Sequence, residues 1–119
     1  MSDTTRLGIT LLEVAQASKE ITINEALWEL DALTQGLLKD NTLTSPDGNE
    51  TEGDLYYCAG VGGVGTAWEN HDYELPHYYG GAWHFYELKI GMTFRVTGGN
   101  LITCTGLGPP PTWGTITVT

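Results

Sequence analysis

At 119 residues, with 40% hydrophobic and 17% charged side chains, the chain has the length and composition of one folded domain with a single modest core. Its net charge of −10, with only five Lys and Arg, argues against binding nucleic acid or an anionic membrane surface, both of which are read through clustered cations. No run approaches the ~20 apolar residues of a membrane span, and the first residues lack the basic-then-apolar pattern of a signal peptide.

The early apolar residues Leu7, Ile9, Leu11, Leu12 and Val14 follow neither a helical nor a strand period. They read as an extended arm with one helical turn, of the kind that lies on a neighbouring subunit or frays. The next stretch has a clean helical period. Thr22 and Glu25 form a capping box; Ile23, Ala26, Leu30, Leu33 and Leu37 recur at three- and four-residue steps, with Leu27 widening the seam. The spacing predicts a helix that begins near Ile23 and stops between Gly36 and Asp40. An isolated helix of ~15 residues is marginal in water, so its stripe must be buried. It packs either on the chain's own sheet or on the same helix in neighbouring copies, and the pattern accommodates both.

Residues 41–53 form a polar linker around the turn cluster Ser45-Pro46-Asp47-Gly48-Asn49. Strand formers follow at 55–59, then the glycine-dense run 60–65, which reads as a flexible turn. Residues 75–79 and 83–89 predict a hairpin across Gly80-Gly81, and residues 92–96 and 101–105 a second pair across Gly98-Gly99-Asn100. A last alternating strand, 115–119, follows Pro109-Pro110-Pro111. About five or six short strands with Gly-rich turns make a small antiparallel β-sheet or open barrel. The predicted class is α+β: residues 1–45 carry the arm and helix, and residues 46–119 an outward-facing β part. Cys58 and Cys104 read as reduced thiols on strands, too few for a zinc site or a disulfide framework.

The glycine run has no Lys near it and leads to Trp68 rather than into a helix, so it is not a phosphate loop. His71, His77 and His84 lack the i,i+4 spacing of a helical metal site and read as partly exposed polar residues. Glu69, Asp72, Glu74 and Glu87 lie among aromatics, as a glycosidase pair would, but in so acidic a chain such proximity carries little weight. No nucleophile motif is present. No catalytic residue, cofactor or metal is predicted, and the chain reads as non-enzymatic. Alternation places Trp83 and Phe85 in the core, with His84 and Tyr86 on the opposite face. Tyr73, Tyr78, Tyr79 and Tyr86 are the candidate contacts to a partner, because flat rings beside polar groups suit the stacking of sugar faces.

Several runs carry a family likeness. They are Arg6-Leu7-Gly8, Ala15-Gln16-Ala17-Ser18-Lys19-Glu20, Asn24-Glu25-Ala26-Leu27 and Leu30-Asp31-Ala32-Leu33. In the second half come Glu52-Gly53-Asp54 with Tyr56, Ala67-Trp68, Gly81-Ala82-Trp83 with Phe85, and Gly91 before Phe94. In these the chain resembles domain of unknown function 2793, found in structural proteins of tailed phages and phage-like gene transfer agents. It departs from the family pattern at Ala15, where Gly is typical, and at Ile23, where His is usual; the tail from Thr105 onward fits loosely.

The resemblance implies a component of fibres, spikes or surface decorations, often trimeric and without assigned enzymatic activity. On that reading the chain is a bacteriophage virion protein, made in the host cytoplasm and displayed on the particle surface as capsid decoration or at a fibre or spike base. Its expected partners are copies of itself as a homotrimer, the major capsid protein or a fibre, and host surface polysaccharide. Ile23, Ala26, Leu27, Leu30, Leu33 and Leu37 are the expected anchoring residues. A carbohydrate-binding tail-fibre module is the alternative, with a glycan-degrading enzyme third.

Overall fold

The computed structural model describes residues 3–11 and 19–116. Helix α1 (Lys19–Leu33) leads into β1 (Gly36–Asp40), β2 (Leu55–Tyr56), β3 (Leu75–Tyr79) and β4 (Ala82–Tyr86). There follow β5 (Thr93–Val96), β6 (Leu101–Gly106) and β7 (Thr112–Ile116). The strands form one sheet in the order β4-β3-β2-β1-β5-β6-β7. Central β1 runs parallel to both its neighbours, and every other pairing is antiparallel. Two three-stranded meanders thus flank one strand. The α+β class holds, but the small antiparallel sheet or barrel is replaced by a seven-stranded mixed sheet.

The reason lies at residues 34–40, where the helix ends earlier than its seam predicts. Gln35 takes a left-handed φ of 50°, and a Cβ on Gly36 would sit 2.4 Å from the Phe94 ring. The chain must therefore leave the helix there and run alongside β5. Leu37 is consequently a strand residue, 40% exposed, and not the last rung of a helical seam. At its other end the helix already includes Lys19, upstream of the expected capping box. Strand β1, from the first of the two predicted segments, pairs with β2 from the second through Leu38 and Leu55.

Residues 3–11 are also not a free extension. They fold back on themselves (Asp3 bridges Thr10) and dock on their own helix. Asp31, fully buried, accepts hydrogen bonds from the Thr4 hydroxyl at 2.7 Å, the Arg6 amide at 3.2 Å and the Leu7 amide at 2.5 Å. The Arg6 guanidinium donates to the carbonyls of Asp31, Thr34 and Gln35 at 2.5–2.7 Å. It supplies partners and positive charge where a helix C-terminus lacks both. Leu12 and Val14 lie outside the described residues.

Strand alternation then sorts the side chains. Leu75, His77 and Tyr79 of β3, with His84 and Tyr86 of β4, face the helix; Pro76, Tyr78, Trp83 and Phe85 face away. Under the helix the main cluster gathers Ala32, Leu38, Leu55, Leu75, Leu88 and Phe94, and a second joins Leu11, Trp28 and Tyr79. On the far face Tyr56, Cys58 and Trp68 form a third, against which Trp83 and Phe85 pack half-buried. Gly80 and Gly81, at φ 63° and 75°, make the turn between β3 and β4, as their positive-φ requirement predicts. The pair β5–β6 also stands where predicted. The last strand is Thr112–Ile116, and residues 117–119 of the predicted one lie outside the described residues.

The glycine run 60–65 is packed rather than loose. A Cβ on Gly62 would lie 1.9 Å from the Trp68 carbonyl oxygen, and the Gly62 amide donates to Asp72 Oδ1 at 2.7 Å. Here glycine serves close approach, which folds the loop over the fully buried Trp68. Both cysteines are free and buried, with Cys104 on β6 and Cys58 just beyond β2.

Candidate functional site

Helix α1 crosses the helix-facing side of β3–β4 and leaves a groove of about 390 Å³ at the outer edge of the sheet. One wall is Glu25 and Glu29, a helical turn apart on the exposed flank of α1. The other is Tyr79, His84 and Tyr86 on the helix-facing side of the hairpin, and the groove continues round the edge of β4 to Trp83, Phe85 and His71 on the far face. Neither carboxylate has a hydrogen-bond or ion-pair partner among the described residues.

The rings are held by one another. Tyr79 lies parallel to Trp28 at 4.6 Å and to His84 at 3.7 Å. Two rings parallel to a third cannot share one face, so both faces of Tyr79 are covered. His71 stacks on Phe85 at 3.5 Å, and its Nδ1 is 2.6 Å from Glu74 Oε1. His77 is fully buried behind the groove, with Nδ1 2.7 Å from the Tyr86 hydroxyl and Nε2 without a partner among the described residues. Burial drives the His77 pKa down to about 4, and nearby His84 acts in the same direction. Burial pushes the Tyr79 hydroxyl up to about 12, reinforced by Glu25 and Glu29; Tyr86 moves up for the same leading reason. These three groups stay neutral at pH 7.

Of the sequence-predicted contact residues, Tyr79 and Tyr86 line this groove, Tyr78 lies on the far face edge-on to Trp83, and Tyr73 packs half-buried against the main cluster. The four do not form one surface. Of the histidines expected to be partly exposed, His71 and His84 are so, each stacked on a ring, whereas His77 is a correction, being fully buried. The predicted seam divides as well. Ile23, Ala26 and Leu30 point outward, with Ile23 46% and Leu30 55% exposed. Leu27 and Leu33 pack partly against the molecule's own clusters. The face of α1 that meets the sheet is instead Trp28, Asp31 and Ala32, a stripe that sequence reading missed because its centre is an aspartate.

Two larger clefts carry less chemistry. One, about 540 Å³, contains Arg6 and Lys39, but Arg6 is spent on helix carbonyls and Lys39 pairs with Asp54 at 3.0 Å. The other, about 510 Å³, is lined by Gln35, Gly36, Thr93, Arg95 and Leu101. Among the described residues no group of three or more His, Cys, Asp or Glu could hold a metal ion, and no helix is long and apolar enough to cross a membrane.

Fold and groove together define an α+β domain on a mixed sheet, with an acidic, aromatic-walled cleft at one edge and an apolar outer stripe on its helix. The chain belongs to the DUF2793 family of proteins of unknown function, whose model matches residues 23–106. The matched segment runs from the first residue of the outer stripe to the end of β6 and includes the whole groove. Residues 6–8 and 15–20 lie outside it. No curated protein and no solved structure matched the chain.

Proposed function

We propose that the protein is a non-enzymatic structural component of a bacteriophage particle surface, a capsid decoration or a fibre- or spike-base piece, that joins copies of itself through the outer stripe of α1. The observation that carries this is the exposure of Ile23, Ala26 and Leu30 on the side of the helix opposite Trp28 and Ala32. A helix apolar on both sides has two surfaces to bury, and the sheet covers one. The three- and four-residue steps of the outer stripe are those by which like helices interdigitate, which favours a second and third copy as the occupant. Since Ile23 and Leu30 are already half-covered, completing their burial contributes roughly 1 kcal/mol each per copy. The interface gains strength by repetition around a trimer axis.

Light scattering on the purified protein tests this. A mass of three chains that falls to one in Leu30→Asp supports the reading; a monomeric wild type at all concentrations removes it. Other particle proteins, the major capsid protein or a fibre, would then be met by the assembled ring.

A carbohydrate-binding module is the second reading, favoured by Tyr78, half-buried and edge-on to Trp83 at 5.1 Å on the face away from the helix. Retention on an array of cell-wall and capsular polysaccharides, weakened by Tyr78→Ala, would support it. Tyr79→Ala is not a useful partner mutation, because it would unstack Trp28.

A further inference from the structure

We infer that β7, the open edge of the sheet, pairs antiparallel with β7 of a second copy. Thr112–Ile116 has β6 on one side and no strand on the other among the described residues, so alternate backbone amides and carbonyls point outward. Folded chains ordinarily blunt such an edge with a charged side chain, a proline or a bulge. This one carries Thr112, Trp113, Gly114, Thr115 and Ile116, with no charge and no proline, and Pro109-Pro110-Pro111 falls just before it. The irregularity of the β6–β7 pair lies between Cys104 and Gly106, at the Thr112 end, and the ladder from Trp113 to Ile116 is regular. The same edge of a second copy is its complement, since it offers the same donors and acceptors in reverse order.

Charge selects this edge and this occupant. All fifteen Asp and Glu residues lie at or before Glu87, and β5, β6 and β7 carry one charged side chain between them, Arg95. The other edge, β4, runs straight into Glu87 and stands beside Glu25 and Glu29, so copies of net charge −10 meeting there would add to their repulsion. Across paired β7 edges the nearest strands with a carboxylate are the two copies of β1, through Asp40, seven strand spacings apart. At ~4.8 Å per spacing that is roughly 34 Å, far beyond a Debye length of about 8 Å. A pairing centred on Gly114 sets Trp113 beside Thr115 of the second copy, a favourable aromatic and β-branched neighbour pair. Five residues bury too little for a stable dimer alone, so the contact serves copies already held close, as between rings joined through α1. That use rests on the α1 reading; the edge pairing itself does not.

Small-angle X-ray scattering on the Leu30→Asp chain, in which the helix contact is removed, tests it between about 10 μM and about 1 mM. A Kd on the order of 1 mM is expected, so that about half the chains are paired at the upper concentration. Raising the salt from about 0.05 to about 0.5 M should tighten pairing at least about twofold, because it screens the repulsion between acidic copies. Thr115 is exposed, so Thr115→Lys should weaken pairing about tenfold or more with the melting temperature little changed, whereas Thr115→Val should preserve it. Monomers up to about 1 mM at both salts, undiminished pairing in Thr115→Lys, an equal loss in Thr115→Val, loosening by salt, or growth beyond two chains would overturn the inference. The α1 reading is decided by the wild-type mass at low concentration, so each can fail without the other.

Discussion

His77 is the residue whose chemistry is most altered by the fold. It is held neutral because its site excludes water, so its folded pKa of about 4 lies below the unfolded value of 6.5. Between those values the unfolded chain binds more protons than the native one, and stability falls as pH drops from 6.5 towards 4. The loss attributable to this one side chain is about 3 kcal/mol once pH is below both values. Urea unfolding at pH 7 and near pH 4 should show it, and His77→Leu should flatten that part of the acid limb. Gly62 is the sharpest steric test. Gly62→Ala places a methyl group against the Trp68 carbonyl, and a loss of about 2 kcal/mol or more is expected by the same measurement. Neither role was legible beforehand. A histidine in a strand and a glycine in a glycine-rich run look alike whether exposed or packed, because what surrounds them comes from residues tens of positions away.

Among the elements, the helix and the folded-back arm act as one unit. Asp31 sits inside an apolar helical stretch where an aspartate normally marks the solvent side, yet it is the point at which the arm attaches. Asp31→Ala should cost about 2 kcal/mol, since released arm amides regain water partners. Hydrogen exchange at the Arg6, Leu7 and Ile9 amides should rise sharply, while the β3–β4 ladder keeps its protection. The hairpins, by contrast, were readable in advance. Gly80-Gly81 and the alternation on either side of it are local instructions; β3 follows them over 75–79, while β4 spans Ala82–Tyr86 and stops three residues short of the predicted end. For the candidate groove, the sequence showed the rings of the hairpin but not Glu25 and Glu29 opposite them, because nothing local says where a helix will lie on a sheet.

For the whole molecule, the outer stripe makes a prediction that separates folding from assembly. Leu30 is 55% exposed, so Leu30→Asp should lower the stability of a dilute monomer by only about 1 kcal/mol and leave it folded. If copies join through this stripe, the wild-type melting temperature should rise with protein concentration, and that of Leu30→Asp should not. Calorimetry over a hundredfold range of concentration checks both.

By itself the sequence determined the order of elements, a helix and then strands, the two hairpins with their turns, and the apolar period of the helix. These follow from spacing and turn chemistry within a few residues. Only the tertiary structure decided which side of the helix meets the sheet, that residues 36–40 become its central parallel strand, and that the arm folds back onto Asp31. Those outcomes turn on contacts between distant parts of the chain: Phe94 leaving no room at Gly36, Arg6 reaching the helix's last carbonyls, and Trp28 finding Tyr79. A period of apolar residues states that a face exists; the shape of the surface available to it decides which face is buried.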